Sequence, residues 1–180
     1  MGNGLVKITF EETPPMPSYL TCWSIGRYDH LEGKSKGGVP VRVYTPVGKS
    51  EEGKLALHVR QNGLKTENKR VFNLTTFQVA TEALDYYREF FGLGYSLPKM
   101  DLIAIPDFAI GAMENWGLLT FRESFLLASE ASSAHAKQWV ALIVAHEVAH
   151  QVREEGDYNG FALGVNLILS LLSSSGSAIW

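Results

Sequence analysis

The chain has 180 residues, 46% hydrophobic and 19% charged, enough apolar material for a packed core and too little charge for a disordered segment. Sixteen Lys and Arg against nineteen Asp and Glu leave a net charge of −3, with no basic excess to hold nucleic acid. The single cysteine, Cys22, cannot close an internal disulfide, no run reaches the roughly 20 apolar residues of a membrane span, and MGNGLVKITFEE has no apolar signal region. The expectation is a cytoplasmic protein with no nucleic-acid partner and no membrane contact.

Residues 5–10 (LVKITF) and 19–28 (YLTCWSIGRY) alternate apolar and polar side chains and predict strands, separated by the proline-rich 13–17. Val39, Val41 and Val43 predict a third strand over 39–44, so the first 46 residues read as an all-β meander. Beyond Pro46 the pattern changes. Ala80, Leu84, Tyr87 and Phe91 form a helical stripe over 79–91, with Gly92 as its stop. MDLIAIP (100–106) suits a buried strand and LLTF (118–121) a second one. From Ala136 to His150 the chain is apolar nearly all round, which predicts a helix buried inside the domain. The fold class expected is α+β, with a domain boundary between residues 46 and 47.

His146-Glu147-Val148-Ala149-His150 places an H-E-x-x-H motif on that helix. Four residues are about 1.1 turns, so both imidazoles share a face about 6 Å apart along the axis. That spacing lets both rings reach one Zn²⁺ at about 2.0–2.1 Å, with Glu147 placed as general base toward a water the metal acidifies. A chance polar trio would leave three side chains without partners on an apolar helix, at considerable cost. His30, His58 and His135 are isolated and are expected at the surface. Upstream, Gly111-Ala112-Met113-Glu114-Asn115-Trp116-Gly117 puts small residues beside a strand, where an extended chain can pair with the backbone. Glu114 offers that chain's ammonium group a carboxylate, although an ordinary turn carrying a surface Glu reads equally well.

GAMENWG followed by HEVAHQ resembles the zinc aminopeptidases of the gluzincin clan, in particular the puromycin-sensitive aminopeptidase group. The resemblance extends through TPPMPSYL (13–20), GVPVRVYTPVGK (38–49), 97–123 and KQWVALIVAHEVAHQ (137–151). It implies the end of an N-terminal β-sandwich domain over 1–46, then the start of a thermolysin-like catalytic domain over 47–151. It further implies His146 and His150 as zinc ligands, Glu147 as base, and Glu114 as the partner of the substrate's free α-amine. Gly111, Ala112, Met113 and Asn115 would align the peptide, so the expected substrates are peptides with a free N-terminus.

The sequence departs from that pattern in three places. The family's third zinc ligand is a Glu nineteen residues after the second histidine, and Leu169 stands there. A metzincin site fails as well, because the residue six positions after His150 is Gly156, and Glu154 lies about 12 Å along a continuous helix from His146. Residues 59–78 interrupt the pattern, since joining His58 to Val79 restores it, and 152–180 diverge from it. Both stretches open with Val-Arg, as a splice donor read in frame can encode, so a retained intron or insertion and a divergent tail are expected. The 161–172 segment is too short to span a bilayer. A truncated enzyme with weak or absent zinc is the first expectation. A non-catalytic module that binds peptide N-termini, or a non-functional truncated product, is the alternative.

Overall fold

The computed structural model describes residues 7–50, 76–129 and 131–152. Its strands are β1 (Tyr28–Lys34), β2 (Pro40–Pro46), β3 (Met100–Ile105), β4 (Ala112–Met113) and β5 (Leu118–Arg122). The helices are α1 (Thr76–Phe91), the single turn α2 (Glu123–Leu126) and α3 (Ala134–Gln151). All five strands join one sheet in the order β1-β2-β3-β5-β4. The two outer pairs, β1 with β2 and β4 with β5, are antiparallel, and the inner pairs are parallel.

Burial explains the order. Every residue of β3 from Met100 to Ala104 is buried, as a strand with neighbours on both sides and cover on both faces requires. Residues in register carry the core across the sheet: Val43 pairs with Leu102 and Leu102 with Leu119, while Ala104 pairs with Phe121. These side chains form one cluster with Ala80, Leu84 and Tyr87 of α1 and Val140, Val144 and Val148 of α3. The helical stripe read from the sequence is thus the face that α1 buries. Tyr87, fully buried, also donates from its hydroxyl to the Ala145 carbonyl at 3.1 Å, joining the two helices.

Buried carboxylates fasten the loops to this core. Asp85 of α1 accepts from the Lys36 and Gly37 backbone N–H groups at 2.7 and 2.9 Å, holding the β1–β2 turn against the helix. Asp101 faces Lys99 at 2.7 Å and Arg42 at 3.8 Å, and Arg42 pairs across the hairpin with Glu32 at 2.8 Å.

The mixed α and β character agrees with the sequence, but several elements differ. Residues 7–27 hold no strand, only a 3-10 turn at Ser18–Leu20, and Ile8, Phe10, Trp23 and Ile25 are exposed. Alternation becomes a strand where one face is buried, and these side chains stay at the surface. β1 escaped prediction because, at the sheet edge, it alternates only weakly between half-buried and exposed positions. The expected boundary at 46/47 falls directly after β2, and Val41–Tyr44 of that strand pairs in parallel with Met100–Ile103. Strands on both sides of that boundary therefore share one sheet. α1 opens at Thr76, inside the stretch read as inserted, and the Thr76 hydroxyl donates to the Leu126 carbonyl. Residues 59–75 lie outside the described residues. So do 153–180, including Leu169, whereas Val152 is buried in the core.

Asp85→Ala should lower the unfolding free energy by about 3 kcal/mol, because two backbone donors lose a charged acceptor. Asp85→Asn, which keeps one carbonyl acceptor, should cost about half of that. Urea unfolding midpoints at constant slope measure both.

Candidate metal and peptide site

α3 carries the centre of the site. Ser133 caps it, its hydroxyl accepting from the Ala136 N–H at 3.2 Å, so the helix begins two residues before the sequence pattern shows. Val140, Ala141, Val144, Ala145, Val148 and Ala149 are buried, which leaves the polar residues of H-E-x-x-H at the border of the core. The His146 and His150 rings lie 5.1 Å apart between centroids at an angle of 69°. One ligand atom each from Glu114, Glu147 and His150 lie within 4.8 Å of one another. The motif on α3 and the carboxylate after β4, 33 positions apart in sequence, thus meet.

Glu147 is 6% exposed, and its Oε2 has no hydrogen-bond partner among the described residues. Burial, and then the charge of Glu114, push its pKa up from 4.5 to about 7. His146 is lowered, first by burial and then by His150, while Glu114 acts in the opposite sense. His150 grouped with Glu114 and Glu147, His146 one helical turn away, and an orphaned buried carboxylate oxygen make a donor set that fits a divalent cation of the zinc type. A carboxylate that titrates near neutrality is also well matched to proton transfer at physiological pH.

The second half of the site is the end of the sheet. Ala112 and Met113 pair with Phe121 and Thr120, and β4 is the last strand in the order, so its outer edge faces away from the sheet. Gly111 is needed because a Cβ there would collide with the Phe125 ring. Arg122 holds the approach to this strand, donating to the Phe108 carbonyl at 3.0 Å and the Ala109 carbonyl at 2.8 Å. Beside it lies a cavity of about 310 Å³, walled by Phe125, Trp139, Leu142 and Ile143, with His146 and Glu147 at its polar end.

Two sequence readings gain a different content. Asn115, expected to align peptide, is buried, accepting from the Thr120 hydroxyl at 2.8 Å and donating to the Leu20 carbonyl at 3.3 Å. Its side chain is engaged in holding the turn. Gly117, read in the sequence only as one of the small residues beside a strand, has a φ of +82° and lies where a Cβ would be 2.9 Å from Leu97 Cδ1. Sequence reasoning also passed over Trp139 and Phe125, whose place on the cavity depends on packing between α2 and α3. It gave no role to Gln151 either, although a lone amide ending an apolar helix signals a need for partners. Of the isolated histidines, His30 and His135 are exposed, and His58 lies outside the described residues.

The raised pKa makes stability fall with pH. With a folded pKa above the unfolded one, the stabilising contribution is complete below 4.5 and is lost as pH rises through about 7. In chelator-treated protein, the stability of Glu147→Gln relative to the unaltered chain should rise by about 3 kcal/mol between pH 4 and pH 8. Urea unfolding at the two pH values measures it.

Residues 75–154 match the peptidase family M1 domain. The chain is 48% identical over 151 residues to Aminopeptidase M1-A of Oryza sativa subsp. japonica, covering 83% of this chain and 15% of that protein. It is likewise 48% identical over 151 residues to Aminopeptidase M1 of Arabidopsis thaliana, with the same coverage. Identity is 42% over 144 residues to the Puromycin-sensitive aminopeptidase of Caenorhabditis elegans, 79% of this chain and 13% of that protein. The chain thus spans about 15% of the length of the curated relatives it matches. The family match takes in 76–78 and 152–154, which the sequence pattern alone had set apart. With the motif on α3 and the carboxylate after β4 brought together, and a match that covers both, the chain belongs to peptidase family M1.

Proposed function

We propose that this chain carries the substrate-facing part of a zinc metallo-aminopeptidase that removes N-terminal residues from peptides. The carrying observation is the convergence of Glu114, Glu147 and His150 within 4.8 Å beside the outer edge of β4, which is unpaired among the described residues. A peptide added along Ala112–Met113 gains backbone hydrogen bonds from the edge. Glu114, at the end of that edge, takes the ammonium group and stops the peptide there, so cleavage is confined to the first residue. Glu147 accepts the proton of the attacking water and passes it on to the leaving amine. His146 and His150 hold the zinc. Zinc bound there supplies Lewis-acid polarisation and a more acidic water.

Leu169 marks the limit of this chemistry. A leucine at the family's third ligand position leaves two imidazoles as the principal ligands, and zinc sites use three or four. We therefore assign the chain weak zinc binding and little turnover of its own. The same reading places it in the cytoplasm. The non-catalytic alternative, a module that holds peptide N-termini, needs only Glu114 and the β4 edge, and Leu169 favours it over full activity.

Zinc content after dialysis and release of arylamine from an aminoacyl arylamide test the assignment. His146→Ala and His150→Ala should each abolish zinc retention. Glu147→Gln should spare retention while lowering any turnover by about 10²–10⁴-fold. Turnover at the level of a full-length relative, abolished by Glu147→Gln, would overturn the assignment of little turnover, and turnover that survives Glu147→Gln would overturn the role of Glu147.

A further inference from the structure

Gln151 directly follows the second histidine and is 5% exposed. Its amide spans two backbone groups of the loop after β4. Nε2 donates to the Glu114 carbonyl at 2.8 Å, and Oε1 accepts from the Gly117 N–H at 3.0 Å. These groups flank the turn in which the Leu118 N–H donates to the Asn115 carbonyl at 3.1 Å. Thr120 braces the same turn from the sheet through Asn115 Oδ1 at 2.8 Å. A primary amide presents a donor and an acceptor side by side, which a carboxylate or a hydrocarbon of the same size cannot do. Gln151 also sits on α3, four residues from Glu147 and one from His150. The clamp therefore ties the backbone of Glu114 to the rigid element that carries the base and the imidazoles.

We propose that Gln151 is a positioning residue, whose amide sets the Glu114 carboxylate at the distance from Glu147 and His150 that a bound N-terminal residue requires. The proposal rests on the reading of Glu114 as the partner of the substrate amine. Both hydrogen bonds reach the backbone of the loop, so losing them displaces Glu114 and leaves its charge and chemistry unchanged. A displaced carboxylate misses an ammonium group more than it misses the rest of a peptide.

The test measures, by calorimetry on the full chain, the affinities for trialanine amide and for its N-acetyl form. The unaltered chain should prefer the free amine, and Glu114→Gln should abolish that preference. Gln151→Met fills the same volume without either hydrogen bond. Gln151→Glu keeps an acceptor for Gly117 but sets an oxygen against the Glu114 carbonyl. Each should cut the preference about 10-fold while leaving affinity for the acetylated peptide within about twofold. A purely structural role would weaken both peptides alike, and that outcome counts against the proposal. If the preference survives both Gln151 variants and disappears in Glu114→Gln, the clamp is overturned and the amine reading stands. If the unaltered chain shows no preference, the amine reading falls and the clamp with it. Hydrogen exchange on the unaltered chain needs no variant to fold. The free-amine peptide should slow exchange at the Gly117 amide more than the acetylated peptide does, and equal slowing would also overturn the clamp.

Discussion

Glu147 sits where the helix would be more stable with a hydrocarbon. Val144 and Val148 beside it are buried, and one of its carboxylate oxygens has no hydrogen-bond partner among the described residues. Burying such a group costs free energy that packing elsewhere must offset. The offset is visible in the same helix: Val144, Ala145, Val148 and Ala149 around it are buried and apolar, and Tyr87 bonds to its backbone from α1. The helix can hold a poorly solvated acid because these neighbours are core.

That arrangement constrains the sheet in turn. A helix this buried has one open flank, and whatever stands opposite that flank defines the cleft. β4 stands there, only two residues long, at the end of a sheet whose central strands are paired on both sides. So short a strand supplies little cohesion of its own. Its position is fixed by polar contacts from longer elements: Arg122 to the carbonyls before it, Thr120 to Asn115, and Gln151 to the loop after it. Each donor or acceptor belongs to β5 or α3, so the edge is tied both to the sheet and to the helix that bears the motif. The outer edge of β4, unpaired among the described residues, is thereby held in place from its inner side.

What was legible in the sequence followed from local periodicity. The stripe of Ala80, Leu84 and Tyr87, the apolar run of β3, and the four-residue spacing of His146 and His150 each express a single element's geometry. What was not legible depended on partners distant in the chain. Alternation in 39–44 showed a half-buried strand, but only packing chooses β3, more than 50 positions away, as its second neighbour beside the hairpin partner β1. The same alternation in 5–10 and 19–28 predicted strands where the apolar side chains lie exposed, because period alone does not say whether a face is covered. In the site, Glu114 was legible as a candidate through its motif, while the places of Asn115 and Gln151 were not. Asn115 lies in a motif that suggests contact with a ligand and is engaged internally. Gln151 lies just past a motif and holds the loop.

The electrostatics of the cleft point to the charge of its guest. Burial, and then the charge of nearby Glu114, oppose ionisation of Glu147. His146 is pushed toward its neutral form by burial and by His150, so it supplies little compensating charge. A cationic guest relieves this imbalance at either end of the cleft, as a metal ion on the imidazole side or as an ammonium group beside Glu114. A cation held there also lowers the cost of ionising Glu147. An N-acylated peptide brings no such charge and leaves the repulsion in place. The unfavourable burial that raises the Glu147 pKa to about 7 thus also favours a cationic guest over a neutral one.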